Sequence, residues 1–157
     1  MKKNKRKPSP GRTTDRESGF TLIEILIAIT ILTVGLLGVA SMQVSAIRGN
    51  DFSGSVTTGL CLAEDRMEEL MRRPYSDDLL TDANTTNALD TIIASDVDHE
   101  DVPAIDATGQ TVTGGPYRRV WNVEDSADPD MKTITVIVTW DNDRHRVSLT
   151  SIKSPGM

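Results

Sequence analysis

Residues 19–24 read Gly-Phe-Thr-Leu-Ile-Glu, and from Phe20 the chain runs on as FTLIEILIAITILTVGLLGVA to Ala40. That is 21 residues interrupted by a single charge, Glu24. At about 1.5 Å per residue such a run covers roughly 32 Å as a helix, which matches a hydrocarbon core about 30 Å thick. The stretch predicts a membrane-spanning helix, and the remaining residues fall into a short piece before it and a longer one after it.

The piece before it, residues 1–19, carries seven basic side chains (Lys2, Lys3, Lys5, Arg6, Lys7, Arg12, Arg16) and two acidic ones (Asp15, Glu17), a net of +5. It mixes Pro, Gly, Ser and Thr without periodicity and reads as a tail. Positive charge next to a spanning helix stays on the cytoplasmic side, so the rest of the chain lies outside that compartment. A secretory signal peptide has the same basic-then-apolar order. Here the apolar run is too long for it, and Val44-Ser45-Ala46 is a poor small-x-small cleavage site.

The piece after the tail is of opposite sign. Residues 20–157 hold ten basic and twenty-one acidic groups, a net of −11. An acidic body argues against non-specific binding to nucleic acid or anionic lipid. The 157 residues suffice for one modest domain plus a long appended element, and 38% apolar with 4% aromatic content predicts an aliphatic core. The one cysteine, Cys61, excludes an intramolecular disulfide; its place in a helical pattern predicts a small buried hydrophobe.

The helical pattern extends beyond the apolar run. Val56, Leu60, Ala63, Met67 and Leu70 are spaced four, three, four and three, one stripe along a helix. Glu68–Arg72 and Glu69–Arg73 are i,i+4 pairs in the favoured order, and Pro74 ends the helix. Arg48 to Ser55 is poor in helix propensity, with Gly49 and Gly54 each costing about 1 kcal/mol relative to Ala, and leaves open whether the helix is continuous there. Residues 76–116 are rich in Asp, Thr, Asn and Gly and read mostly as loop, with a short helix near 87–94. From Tyr117 the period becomes two. Residues 117–123, 132–140 and 146–152 read as three antiparallel strands joined by turns at Asp125–Pro129 and Asp141–Asp143. Ile134, Val136, Val138 and Trp140 share one face, and the Val56–Leu70 stripe is its expected cover.

The junction Gly19-Phe20-Thr21-Leu22-Ile23-Glu24, with positive charge upstream and the apolar helix downstream, resembles the signal sequence of type IV prepilins and type II secretion pseudopilins. That resemblance implies cleavage between Gly19 and Phe20 by a membrane-embedded prepilin peptidase, followed by N-methylation of Phe20. It also implies an assembly role for Glu24, flanked by Thr21 and Leu22. A carboxylate inside a spanning helix costs about 2.5–3.5 kcal/mol on insertion scales and persists where it has a partner. In the family that partner is the new α-amine of a neighbouring subunit, here the amine of Phe20.

The implied fold is α+β and type IV pilin-like: a long N-terminal helix packed on a small C-terminal antiparallel meander. Its zones are a cleaved cytoplasmic leader (1–19), the transmembrane and assembly helix (20–47), a helix continuation against the head (48–74), a variable loop region (75–116) and the sheet (117–153). Residues Ile31 to Gly38 are similar to the minor pilin PilV group. So is the tract Arg118-Arg119-Val120-Trp121-Asn122-Val123 followed by Lys132 to Val136 and Val138-Thr139-Trp140. There is no C-terminal cysteine pair and no helix proline of the kind many major pilins carry. The implied partners are prepilin peptidase, other minor pilins, the major pilin, the inner-membrane assembly platform and the membrane itself. The implied place is the inner membrane, with a periplasmic head that passes into a surface fibre.

Three other classes have a sequence argument to answer. An I-type minor pseudopilin of a type II secretion system shares the junction and the strand pattern. A tip adhesin or DNA-uptake pilin would need Arg118, Arg119, Arg144 and Arg146 to gather against the acidic background. A membrane-anchored enzyme finds no nucleophile–base set, phosphate loop or apolar carboxylate pair, so no catalysis is expected. His99, among Asp96, Asp98, Glu100 and Asp101, and His145, between Arg144 and Arg146, read as solvated turn residues. The clusters Asp96–Asp101 and Asp125–Asp130 lack calcium-loop spacing, and neither a metal nor a cofactor is expected.

Overall fold

The apolar run begins its helix at a cap. Thr21 precedes the first helical residue; its hydroxyl accepts from the Glu24 N–H at 3.3 Å, and its carbonyl accepts from Glu24 and Ile25 N–H at 3.1 and 3.2 Å. From there α1 runs Leu22–Arg72, 51 residues. The structure, a computed structural model, describes residues 19–83, 88–125 and 131–155. The basic tail 1–18 and most of the expected 125–129 turn, with Asp128 and Asp130 of the second acidic cluster, lie outside the described residues.

The chain divides into two compact units, Met1–Ser45 and Ala46–Met157. In the first, α1 is long and apolar enough to cross a membrane: its best 18-residue window has a mean hydropathy of 2.6 and none of that window is buried. The polar side chains in it satisfy themselves. Thr30, Thr33 and Ser41 hydroxyls donate to the carbonyls of Leu26, Ile29 and Gly38 at 2.8, 2.7 and 2.8 Å, so hydrocarbon is not asked to solvate them.

In the second unit, the segment of poor propensity is helical throughout. Ser53, Ser55, Thr57 and Thr58 each donate a hydroxyl proton to the carbonyl four residues back, at 2.9–3.1 Å. The helix ends before Pro74, and its last carbonyls are taken by a side chain. The buried ammonium of Lys153 donates to the carbonyls of Leu70, Met71 and Arg73 at 3.0, 2.7 and 2.6 Å.

Four antiparallel strands follow in the order β1-β2-β3-β4: β1 His99–Glu100, β2 Tyr117–Asp125, β3 Lys132–Trp140 and β4 His145–Lys153. Register pairs Val120 with Ile137 and Val136 with Leu149. The long helix on a small antiparallel sheet is the α+β arrangement expected. The additional strand β1 falls within the stretch read as loop, because two residues are too few to show a period. The short helix expected near 87–94 is not formed over its described residues, 88–94. Their carbonyls are engaged elsewhere: Leu89 and Thr91 accept from the Asn122 amide at 3.2 and 3.0 Å, and Ile92 accepts from Arg118 at 2.7 Å. These bonds lay the segment across the outer face of the sheet, where Val120, Ile137, Thr135 and Thr139 are buried.

On the inner face Trp121, Val123, Ile134, Val136, Val138 and Trp140 pack with Leu62, Ala63, Met67 and Leu70 of α1. The helical stripe is rotated from the expected one. Leu60 is 40% exposed, and Gly59 and Leu62 turn inward in its place. The cause is the Trp140 ring: a Cβ on Gly59 would lie 3.1 Å from it and 3.3 Å from a Val147 methyl. Cys61, expected to be buried, is exposed. At about 100° per residue it points roughly 180° from the centre of the buried face.

Charge joins the layers. Asp101 accepts from Arg66 of α1 at 2.8 Å and from Arg119 of β2 at 2.6 Å, and Arg119 also donates to the Leu62 carbonyl at 3.0 Å. Arg66 further pairs with Glu69 at 2.6 Å and lies 4.0 Å over the Trp121 ring. The Trp121 indole N–H donates to the Leu79 carbonyl at 2.9 Å. His99 stacks on the same ring at 5.3 Å and places Nε2 3.0 Å from the Thr81 carbonyl, so it is a half-buried strand residue and not a turn residue. His145 opens β4 rather than lying in the turn, with its ring 5.2 Å from Phe52 and 5.8 Å from Trp140, and it keeps 42% of its side chain exposed.

Two carboxylates at the helix end are held below their ordinary range. For Glu69 the leading cause is its hydrogen bond from Arg73, and for Asp77 the backbone N–H of Leu79. The unfolded chain binds these protons at higher pH than the fold does. Their contribution is therefore complete above the ordinary carboxylate range and lost as pH falls through the lowered values.

Two outcomes follow for the full chain in detergent, followed by tryptophan fluorescence. The unfolding midpoint should be flat from neutral pH to about pH 5 and fall below about pH 4, with a shallower fall in Glu69→Gln. Gly59→Leu should lower stability by about 1–3 kcal/mol through overpacking against Trp140 and Val147.

Candidate processing and assembly junction

Gly19, Phe20 and Thr21 precede the first helical residue and are exposed and non-helical. Phe20 is 80% and Leu22 78% exposed, and a Cβ built on Gly19 would meet nothing within 4 Å. This is accessible, non-helical backbone next to a long helix, and a peptide bond must be free of helix to enter a proteolytic cleft. A glycine on one side of that bond removes one side chain from the approach.

Glu24 sits in the first turn of α1, three residues after the Thr21 cap. Thr-x-x-Glu at a helix start is the capping-box spacing, and its first half is made, Thr21 hydroxyl to Glu24 N–H at 3.3 Å. A carboxylate here is also favoured by the helix dipole. The spacing was legible in the sequence, but the hydrophobic setting drew attention to Glu24 as a charge and away from it as part of a cap. Phe20 and Glu24 border one shallow groove with Ile25, Ala28, Ile29 and Leu32. No Lys or Arg occurs in residues 22–47 to meet the carboxylate.

The other candidates resolve into scaffold. Arg118 pairs with Glu100 at 2.7 Å, Arg119 is buried on Asp101, Arg144 lies 3.8 Å from Asp141, and Arg146 donates to the Asp90 carbonyl at 3.3 Å. Arg118 and Arg119 project to opposite faces of β2, so these four do not form one basic surface. In the first acidic cluster, Asp98 accepts from the N–H groups of Ala83 and Val123 at 2.8 and 2.7 Å, while Glu100 and Asp101 hold the arginines. Among the described residues no group of three or more His, Cys, Asp or Glu is placed to hold a metal ion.

Residues 14–40 match the family model described as the prokaryotic N-terminal methylation motif. No curated protein and no solved structure matches the chain. The motif match supports a type IV prepilin-like protein, a pilin or pseudopilin substrate of prepilin peptidase. Together with the long apolar helix it is consistent with anchoring in the inner membrane.

Proposed function

We propose that this chain is a minor type IV pilin of the PilV kind, which helps prime assembly of the pilus. The observation that carries the reading is the junction itself: accessible Gly19-Phe20 backbone directly before a capped, fully apolar helix whose only charge, up to Arg48, is Glu24. Prepilin peptidase cuts between Gly19 and Phe20, and the new amine of Phe20 is methylated. Residues 1–19 remain in the cytoplasm and the head is carried on the periplasmic side. The helix waits in the bilayer until it is drawn into a fibre, where helix–helix contacts replace lipid.

The Phe20 amine and the Glu24 carboxylate lie four residues apart, close to one depth. In a fibre, the carboxylate of one subunit meets the amine of a neighbour, which removes an unpaired charge from an apolar environment and sets axial register. Thr21 and Leu22 hold this geometry, one as the cap and the other as the first apolar contact. The role is structural; it assigns the chain neither a catalytic step nor a cofactor. Partners on this reading are the peptidase, the other minor pilins, the major pilin and the inner-membrane assembly platform. The lone exposed Cys61 and the absence of a cysteine pair favour a minor over a major subunit. The strand tract 118–140 favours the PilV kind over an I-type pseudopilin.

Gly19→Phe should accumulate the uncut precursor on an immunoblot. Glu24→Leu should be cut normally yet enter sheared fibres at a level reduced by about tenfold or more, which corresponds to about 1.4 kcal/mol or more of lost pairing. Efficient incorporation of the leucine variant would remove the pairing argument.

Deleting the chain should abolish or strongly reduce sheared surface pili while extracellular enzyme secretion in the same culture stays normal. Lost secretion with normal pili would reassign the chain to a type II pseudopilus.

A further inference from the structure

The two edges of the sheet are finished differently. On the β1 side the edge is closed early: β1 is two residues long, and Ile105 then bridges to Tyr117 on the same side. On the other side β4 is nine residues long, against about 5–6 for a usual strand, and among the described residues no strand pairs with its outer edge. It has no proline, and its outward side chains are Arg146, Ser148, Thr150 and Ile152, one charge in four. Lys153, an inward-pointing charge of the kind that guards edge strands, is engaged by the helix carbonyls. Soluble proteins blunt such edges with short strands, charges, prolines or bulges, and β4 carries almost none of these devices.

The core is also unfinished along this edge. Ile134, Val136 and Val138 on β3 are fully buried, whereas Val147 and Leu149 on β4 are only partly covered. Arg66 and the Leu62 carbonyl face β2, and Gly59 faces Trp140 and Val147, so passing round the helix leads from β2 toward β4. Val56, Leu60 and Met71 lie about 60–120° further in that direction, beside the open edge. Leu60 is 40% exposed and Val56 and Met71 are half-buried. The inward side chains of one more strand would occupy this seam.

We propose that the outer edge of β4 is a strand acceptor: an extended segment of a different polypeptide adds there as a fifth strand. Its alternate apolar side chains cover Val147, Leu149, Leu60 and Met71. The segment is neutral to basic, because Glu64 is exposed on the adjoining flank of α1 and residues 20–157 carry a net of −11. The same charge opposes a second copy of this acidic body on the edge. This inference does not depend on the pilin reading; it requires only the head and its open edge.

The test uses the full chain, isotope-labelled in detergent micelles, and a capped synthetic peptide, Lys-Val-Thr-Val-Thr-Val-Thr-Val-Lys, as the probe. Amide exchange across residues 146–152 is read with and without it. Strand addition should slow alternate β4 amides by about tenfold or more, and the effect should weaken in Leu60→Asp, a surface substitution that leaves the core in place. A peptide N-methylated at alternate amides should give no protection. No slowing at millimolar peptide would overturn the proposal, as would equal protection by the methylated peptide. Protection that arises without peptide and grows with protein concentration would also overturn it, placing a second copy on the edge.

Discussion

The head depends on one carboxylate. Asp101 stands between Arg66 of the helix and Arg119 of the sheet, and all three side chains are nearly buried, at 12%, 11% and 8% exposure in that order. Charges so placed cost several kcal/mol each to desolvate and are tolerated because each is met. The arrangement does more than neutralise. Arg119 reaches past Asp101 to the Leu62 carbonyl, and Arg66 lies on the Trp121 ring that His99 stacks against. Helix position, strand β2 and Asp101, the residue after β1, are thereby fixed relative to one another. The Leu, Ile and Val residues between them supply cohesion, but apolar contact alone has no direction. The ion network supplies it.

Much of this was legible from local patterns. The apolar run from Phe20 to Ala40 is long enough to cross a membrane, and the period-two segments after Tyr117 read as strands. What stayed hidden depended on partners far apart in sequence. Nothing about Asp101 distinguishes it from Asp96 or Asp98 until Arg66 and Arg119 are brought to it, 35 and 18 residues away. The fate of residues 88–94 was equally invisible, since their carbonyls are claimed by Asn122 and Arg118 from the sheet.

Other misreadings came from treating a pattern too coarsely. Apolar spacing placed Leu60 on the buried stripe, but the helix rotates to let Trp140 rest on Gly59, and a residue without a side chain does not register in a hydrophobic count. The exposure of Cys61 could have been read directly, because the stripe itself points away from it. At the junction the reverse holds: Gly19, Phe20 and Glu24 are conspicuous in sequence because they sit at a change of composition. The structure adds the local reason that Thr21 and Glu24 begin the helix together.

The cap on the far end of α1 carries a consequence for when this head can form. Leu70, Met71 and Arg73 wait for a lysine 83, 82 and 80 positions later in the chain. Strand β3, which completes the core under the helix, cannot be paired on both sides until β4 has arrived. Closing contacts of such long separation is slow relative to local helix formation. Until β4 has arrived, then, the apolar face and the terminal carbonyls of α1 lack these partners. The head is complete only when β4 is in place, and until then its apolar helix face is the kind of exposed surface that associates wrongly.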